Sequence, residues 1–314
     1  MRKRWCALAA MLAVTAACAA APASAQDELR GEVVLQGRPL PGQEVVLHRV
    51  RADIAGPMAR TRADRQGRFR FRLPPRDTGA FTVYLVTTEY QGVRYIGPPV
   101  HPDDRPAAYR VVVYDTAVVP GSTSPVRLQR RDLILNPHPA GGWEVHELLV
   151  LRNPAPRTWL AGDWPVWSLR LPDRAAHFEV AEADFDANRV RRVGRYAAVL
   201  APITPGFHQL LLRYRWPART GRIRIEPRAD TLRLFLRLPV RPPQDWPPGD
   251  TVNVDGDRFL RVVWVPAPAA LALPGGAPPL DPRWPAVAVA SATLLLGAWA
   301  ALRRRPCERP SCRC

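Results

Sequence analysis

The chain has 314 residues, 47% hydrophobic and 23% charged, with a formal charge of +17. Its 36 prolines and 20 glycines recur too often for long helices, because proline removes a backbone donor and clashes with the preceding turn, and no Gly-X-Y period marks a collagen. The length allows two domains of ordinary size, and short strands between Pro-rich turns predict an all-β fold.

Residues 1–25 read as a secretory leader. Met1-Arg2-Lys3-Arg4 is a charged start, Trp5 to Ala20 is an uncharged apolar run, and Ala23-Ser24-Ala25 supplies the small side chains that a signal peptidase accepts beside its cut. Lipidation at Cys18 is the rival reading, with Thr15 at the place where lipoprotein leaders carry Leu. Lys3 is the only lysine; the remaining basic residues are arginines. An arginine excess predicts solvated outer strand faces, or an anionic partner such as lipid or an acidic polymer. Export argues against nucleic acid.

From residue 26 to 118 the pattern has period two with turn punctuation. Strands are predicted at Glu32–Leu35, Glu44–His48, Arg68–Leu73, Phe81–Thr87 and Arg110–Tyr114. In the third, Phe69, Phe71 and Leu73 point inward while Arg68, Arg70 and Arg72 face solvent. Gly42 and Gly67 supply the positive φ of tight turns, and Asp64 can bond a turn backbone. At least six strands are expected over this length, these five among them, which predicts a small β-sandwich.

Particular phrases in this segment resemble a known family. Gly31-Glu32-Val33, Pro39-Leu40-Pro41-Gly42 and Val45-Val46-Leu47 are similar to the opening of carboxypeptidase regulatory-like domains. Thr61 to Gly67 with Phe69-Arg70-Phe71-Arg72-Leu73-Pro74 resembles that family's Thr-Asp-x-x-Gly-x-Phe-x-Phe hairpin, with an extra residue between Thr61 and Asp64. Tyr90 to Tyr95 and Val113 to Thr116 resemble a bacterial envelope subgroup. The resemblance covers about a quarter of the chain. It implies a transthyretin-type sandwich that stabilises or presents neighbouring domains, and it implies no catalytic residue.

A second domain, residues 119–265, continues with strands at Val126–Leu135, Trp143–Leu151, Trp167–Leu171, His177–Ala181, Val190–Leu200 and through Leu210, Leu212, Tyr214 and Trp216. Leu232, Leu234, Leu236 and Leu238 share one face against Arg233 and Arg237, and Asp255-Gly256 joins Thr251–Val254 to Arg258–Val265 as a hairpin. A larger sandwich is expected. Residues 266–283 read as a Pro-rich stalk.

Trp284 to Leu302 carries no charge and would cross about 28 Å of bilayer as a helix. Arg303-Arg304-Arg305 then places the basic tail, 303–314, in the cytoplasm by the positive-inside rule. The expected location is the inner (cytoplasmic) membrane, single-pass, with both sandwiches outside. No cysteine lies between residues 26 and 302, so no disulfide is expected there.

Tests for catalysis fail. None of the six histidines has Glu three residues later, and His146-Glu147 lacks the second histidine of a zinc motif. Ser122, Ser124 and Ser168 lie in no Gly-x-Ser-x-Gly phrase. Asn253, Asp255 and Asp257 fail the calcium-loop pattern at its two ends, and Glu182, Asp184 and Asp186 form a second acidic cluster. No enzyme activity, cofactor or metal is expected. Trp159, Trp164 and Trp167 crowd one short stretch; they read as core, as a sugar-stacking platform or as an interfacial anchor. The sequence therefore predicts a non-enzymatic membrane-anchored envelope protein that presents, stabilises or bridges components of a membrane complex through protein partners, and as the alternative a glycan- or peptidoglycan-binding module using those three tryptophans.

Overall fold

The computed structural model describes residues 28–74, 82–102, 104, 109–217, 221–254 and 256–273. The fold is all-β. Among the described residues the helical structure is a single 3₁₀ turn, Ala187–Arg189, and no helix is long and apolar enough to cross a membrane. The leader, the apolar block Trp284–Leu302 and the Arg303–Arg305 tail lie outside the described residues. The chain divides into two compact units between Val113 and Tyr114.

The first unit holds β1 (Glu28–Leu35), β2 (Arg38–Pro39), β3 (Glu44–Arg51), β4 (Ala55–Arg62), β5 (Arg68–Arg72), β6 (Thr82–Tyr90), β7 (Val93–Ile96) and β8 (Tyr109–Val113). Strand β1 pairs antiparallel with β2 and β5 and parallel with β8. A second sheet runs β4-β3-β6-β7. The alternation predicted for β5 is observed: Phe69 and Phe71 are buried and Arg68, Arg70 and Arg72 are exposed. Each such ring taken from water stabilises by roughly 1.5–3 kcal/mol. Opposite Phe69, position 31 is glycine; a Cβ there would sit 2.5 Å from the Phe69 ring and 2.7 Å from the Tyr109 carbonyl oxygen. Tyr109 ties β8 to the other sheet: its hydroxyl accepts from Val86 N–H at 3.0 Å and donates to the Pro98 carbonyl at 2.8 Å. Strands β4 and β7 have no counterpart in the sequence pattern, because β4 carries Ala, Gly, Pro and Met and is half exposed along its length.

The second unit contains β9 (Thr116–Val118), β10 (Arg127–Pro137), β11 (Trp143–Asn153), β12 (Thr158–Leu160), β13 (Trp167–Arg170), β14 (Ala176–Ala183), β15 (Val190–Val193), β16 (Tyr196–Val199), β17 (Gly206–Trp216), β18 (Gly221–Arg224), β19 (Thr231–Arg237), β20 (Asp250–Val254), β21 (Asp257–Trp264) and β22 (Ala270–Leu273). Seven of them form one sheet in the order β14-β17-β11-β10-β19-β21-β20. Its buried face is aliphatic: Leu133 and Leu135, Val145 and Leu149, Leu210 and Leu212, Leu232, Leu234 and Leu236 are all fully inaccessible. Smaller pairings are β9 with β12, β13-β16-β15, and β18 with β22.

Two boundaries differ from the sequence expectation. Thr116–Val118, assigned above to the first domain, pairs in parallel with Thr158–Leu160 and so belongs to the second unit. The start of the expected stalk is not a spacer: Ala270–Leu273 pairs with Gly221–Arg224, and Ala267, Leu271 and Leu273 are buried in the core. Proline density is a weak sign of a stalk where the intervening residues are apolar and reach a free strand edge. Likewise Val190–Leu200 is not one strand but the β15–β16 hairpin, turned at Gly194 with φ +59°.

One irregularity decides what the large sheet buries. The pairing of β10 with β11 shifts between Leu128 and Arg130, leaving Gln129 as an extra residue. A bulge resets the alternation of side chains. Leu128 therefore faces the core, and so do Arg131, Leu133 and Leu135, whereas Arg130 and Asp132 lie on the opposite face. Arg131 and Glu147 are both wholly inaccessible and meet at 2.5 Å, Nε to Oε1. Tyr214 donates its hydroxyl to Glu147 Oε2 at 2.8 Å.

Candidate binding sites

The three tryptophans do not form one platform. Trp167 is 2% exposed and belongs to the core of the second unit. Trp159 is half-buried, packed against that core, with the Arg157 guanidinium 5.9 Å from its ring. Trp164 alone is open, at 48% exposure. The spacing is the reason: β12 ends at Leu160 and β13 begins at Trp167, so Trp159 and Trp167 take inward-leaning strand positions and only Trp164 sits in the intervening loop. Trp143 and Trp216 are core residues as well, and Trp246 and Trp264 stack edge to face at 5.6 Å.

The titratable groups of interest are engaged locally. Asp64 accepts from Gln66 and Arg68 N–H, both at 2.8 Å, which is turn chemistry. Asp184 accepts from Gln209 N–H, and Asp186 caps the 3₁₀ turn through Asn188 N–H. Asp257 pairs with Arg237 at 2.5 Å; Asp255 lies outside the described residues. His146 lies 3.3 Å from Glu144, and His208 contacts the Thr204 carbonyl at 2.8 Å. Among the described residues no group of three His, Cys, Asp or Glu side chains is placed to hold a metal.

Three hollows among the described residues carry polar side chains in number. One, about 870 Å³, lies on the first unit, where four guanidiniums (Arg30, Arg62, Arg68, Arg70) face two carboxylates, Glu32 and Asp64. It adjoins the outer face of the β1–β5–β8 sheet. There Glu32 lies opposite Arg68 and Arg110, Glu28 opposite Arg72, and Arg30 directly opposite Arg70. The ion pairs Arg110–Glu32 at 2.6 Å and Arg30–Glu28 at 2.8 Å use up both strand carboxylates, so Arg68, Arg70 and Arg72 leave the face electropositive.

A smaller hollow, about 370 Å³, lies on the outer face of the other sheet of this unit, floored by His48 and Thr87. His48 Nε2 lies 2.9 Å from the Thr87 hydroxyl. Burial, then the charges of Arg94 and Arg60, lower the His48 pKa from its ordinary 6.5. Charging the ring there would add a third cation to two guanidiniums.

The third hollow, about 450 Å³, belongs to the second unit and gathers Ser122, Ser124 and Ser168 with Tyr196, Arg127 and Arg170. These are all the serines between residues 28 and 273. The structure brings Ser168 and Arg170 to one face of β13, with Tyr196 directly across the ladder from Arg170. The sequence singled out the three serines only to reject them as nucleophiles; their grouping with Tyr196, Arg127 and Arg170 was not visible, because these residues come from separate stretches.

No protein-family model and no curated protein matches the chain. Among solved structures, it is similar to the M1 zinc metallopeptidase from Deinococcus radiodurans (TM-score 0.30, 16% identity, 49% of this chain and 43% of that one). The same enzyme as a variant bound to a Tyr-Ser-Ala substrate gives TM-score 0.30 and 17% identity over 48% of this chain and 42% of that one. The Corynebacterium diphtheriae major pilin SpaA follows at TM-score 0.19 and 15% identity, covering 75% of this chain and 67% of that one. The chain thus spans less than half the length of the metallopeptidase it matches.

Proposed function

We propose that the chain is a non-enzymatic envelope protein, exported by residues 1–25 and held in the cytoplasmic membrane by residues 284–302, whose two β-sandwich units present, stabilise or bridge components of a membrane-associated complex. The first unit is read as a carboxypeptidase regulatory-like, transthyretin-type module on the phrases quoted above. The observation that carries the reading is the electropositive outer face of β1, β5 and β8. Its carboxylates are already paired and its arginines project from a rigid ladder, which suits recognition of an acidic partner surface by bidentate guanidinium contacts. Steering by such a face raises association rates and falls with salt.

The test is photocrosslinking in cells. A photoreactive residue at position 70 is expected to give a discrete adduct with another envelope component, and Arg62→Glu with Arg68→Glu is expected to remove it. Failure to crosslink from this face, with the protein folded and membrane-bound, overturns the bridging role. A reporter fused after Cys314 is expected in the cytoplasm; a reporter outside overturns the anchoring scheme.

A further inference from the structure

We propose that the serine-rich hollow of the second unit binds an acidic saccharide, a chain of sugar rings bearing carboxylates. The proposal is independent of the basic face of the first unit.

Four observations point there. First, the hollow gathers every serine among the described residues, and a threonine: Ser122 and Thr123 are exposed on its rim, and Ser168 is half-exposed on its wall. The Ser124 hydroxyl is committed to the Val166 carbonyl at 2.6 Å and the Val126 N–H at 3.0 Å, and so shapes the rim while the others stay open. Second, Tyr196 offers an aromatic face at the mouth, 43% exposed. An amphipathic ring of this kind suits the apolar C–H face of a sugar while its hydroxyl hydrogen-bonds. Third, the guanidiniums are underused. Arg127 has no carboxylate within ion-pair distance among the described residues, and Arg228 reaches only the Ala267 carbonyl, at 3.4 Å. Arg170 is held loosely by Glu226 at 3.8 Å. Planar guanidiniums matched to carboxylates give strong, oriented pairing. Fourth, Asp230 lines the same hollow and is exposed; its carboxylate can accept from ligand hydroxyls.

Hydroxyls, carboxylates, guanidiniums and one aromatic face together favour a ligand that is at once polyhydroxylated and anionic. An acidic peptide would use the arginines but offers Tyr196 no ring C–H face to stack on. The Trp167 ring lines the hollow from beneath, so its fluorescence reports occupancy.

The experiment uses the full chain in detergent, titrated with hexagalacturonate, with maltohexaose as the neutral saccharide and hexaglutamate as the acidic peptide. Hexagalacturonate is expected to bind and to change tryptophan emission, with maltohexaose at least about tenfold weaker. Arg127→Ala and Tyr196→Ala are each expected to weaken hexagalacturonate about tenfold, the scale of one charge-assisted or aromatic contact. Both side chains are exposed, so the melting temperature should not move. Arg258→Ala, at an exposed arginine outside the lining of the hollow, should leave binding unchanged. Absence of hexagalacturonate binding at millimolar concentration overturns the proposal. So does binding kept in full by both Arg127→Ala and Tyr196→Ala, and so does hexaglutamate binding as tightly as the saccharide.

Discussion

Tyr109 in the first unit and Tyr214 in the second are both almost wholly buried, and their hydroxyls are satisfied in different ways. In the first, Tyr109 is 1% exposed, and its partners are backbone groups, Val86 N–H and the Pro98 carbonyl. All are neutral, and the fixed geometry of the strands supplies them. In the second, Tyr214 is equally buried and donates to a carboxylate, Glu147, that is itself sealed in with Arg131. Arg131 Nε lies 2.5 Å from Glu147 Oε1, and neither side chain reaches solvent. The two charges compensate one another. A core can thus hold polar atoms cheaply through the backbone, or through paired charges that depend on one another. The second arrangement is the more brittle, because removing one member strands the other in a low-dielectric interior.

Breaking the charged pair should give the largest effect. Glu147→Ala is expected to destabilise the second unit by about 3–5 kcal/mol, the usual cost of leaving a buried charge alone, measured as a fall in the denaturation midpoint. A variant that melts like the parent would mean Arg131 reaches water. The triple replacement Arg131→Met, Glu147→Leu, Tyr214→Phe should recover most of that loss, since apolar substitutes of similar volume are often neutral; persistent instability would show the trio is needed for register. Trp167→Ala should cost about 3–5 kcal/mol as a core truncation, whereas Trp164→Ala should stay within about 0.5 kcal/mol. Equal effects would reunite the tryptophans as one surface. In the first unit Tyr109→Phe should cost only about 1–3 kcal/mol, the desolvation cost of unpaired neutral backbone groups. A larger loss there would erase the contrast between the two units.

The smallest expected effect is a pH tilt with opposite signs. Because the folded His48 pKa is depressed below 6.5, the unfolded chain takes up the proton first, and the first unit should lose stability as pH falls below about 6.5. His48→Gln should flatten that slope. Burial, then the Glu147 charge, holds the Tyr214 hydroxyl well above 10. Its contribution is complete below pH 10 and is lost as pH rises above it, because the unfolded tyrosine ionises first. Burial raises Tyr109 in the same direction, so the acid limb, seen by two-wavelength melting of the intact chain, is the discriminating one.

Much of the ladder pattern was legible in the residues. Leu232, Leu234 and Leu236 against Arg233 and Arg237, and Phe69 and Phe71 between arginines, declare strands because period two separates wet from dry faces. What was not legible follows from local interruptions. Gln129 shifts the phase of β10, so Arg131 sits where a strict alternation started at Leu128 would place an outward residue. Gly194 splits one apparent strand into two. Strand β22 looks like linker because its partner, β18, lies far back in the chain. The serine-lined hollow was hidden for the same reason, since its walls come from four separate segments, 122–128, 167–170, residue 196 and 226–230.

The parallel pairing of β10 with β19 has a consequence for how the protein is made. Arg233 reaches its partner Asp132 across 101 residues of chain, and the centre of the seven-stranded sheet cannot close before that distance has been synthesised. The corresponding closure in the first unit, Arg110 to Glu32, spans 78 residues and is complete before the second begins. Loop closure over such separations slows folding. During the wait the aliphatic face of β10 and β11 stands uncovered as a hairpin with an open edge, the kind of edge that invites pairing with other chains. The interval between emergence of Asp132 and of Arg233 is therefore when the second unit exposes an unpaired edge, while the strands of the first unit are already all present.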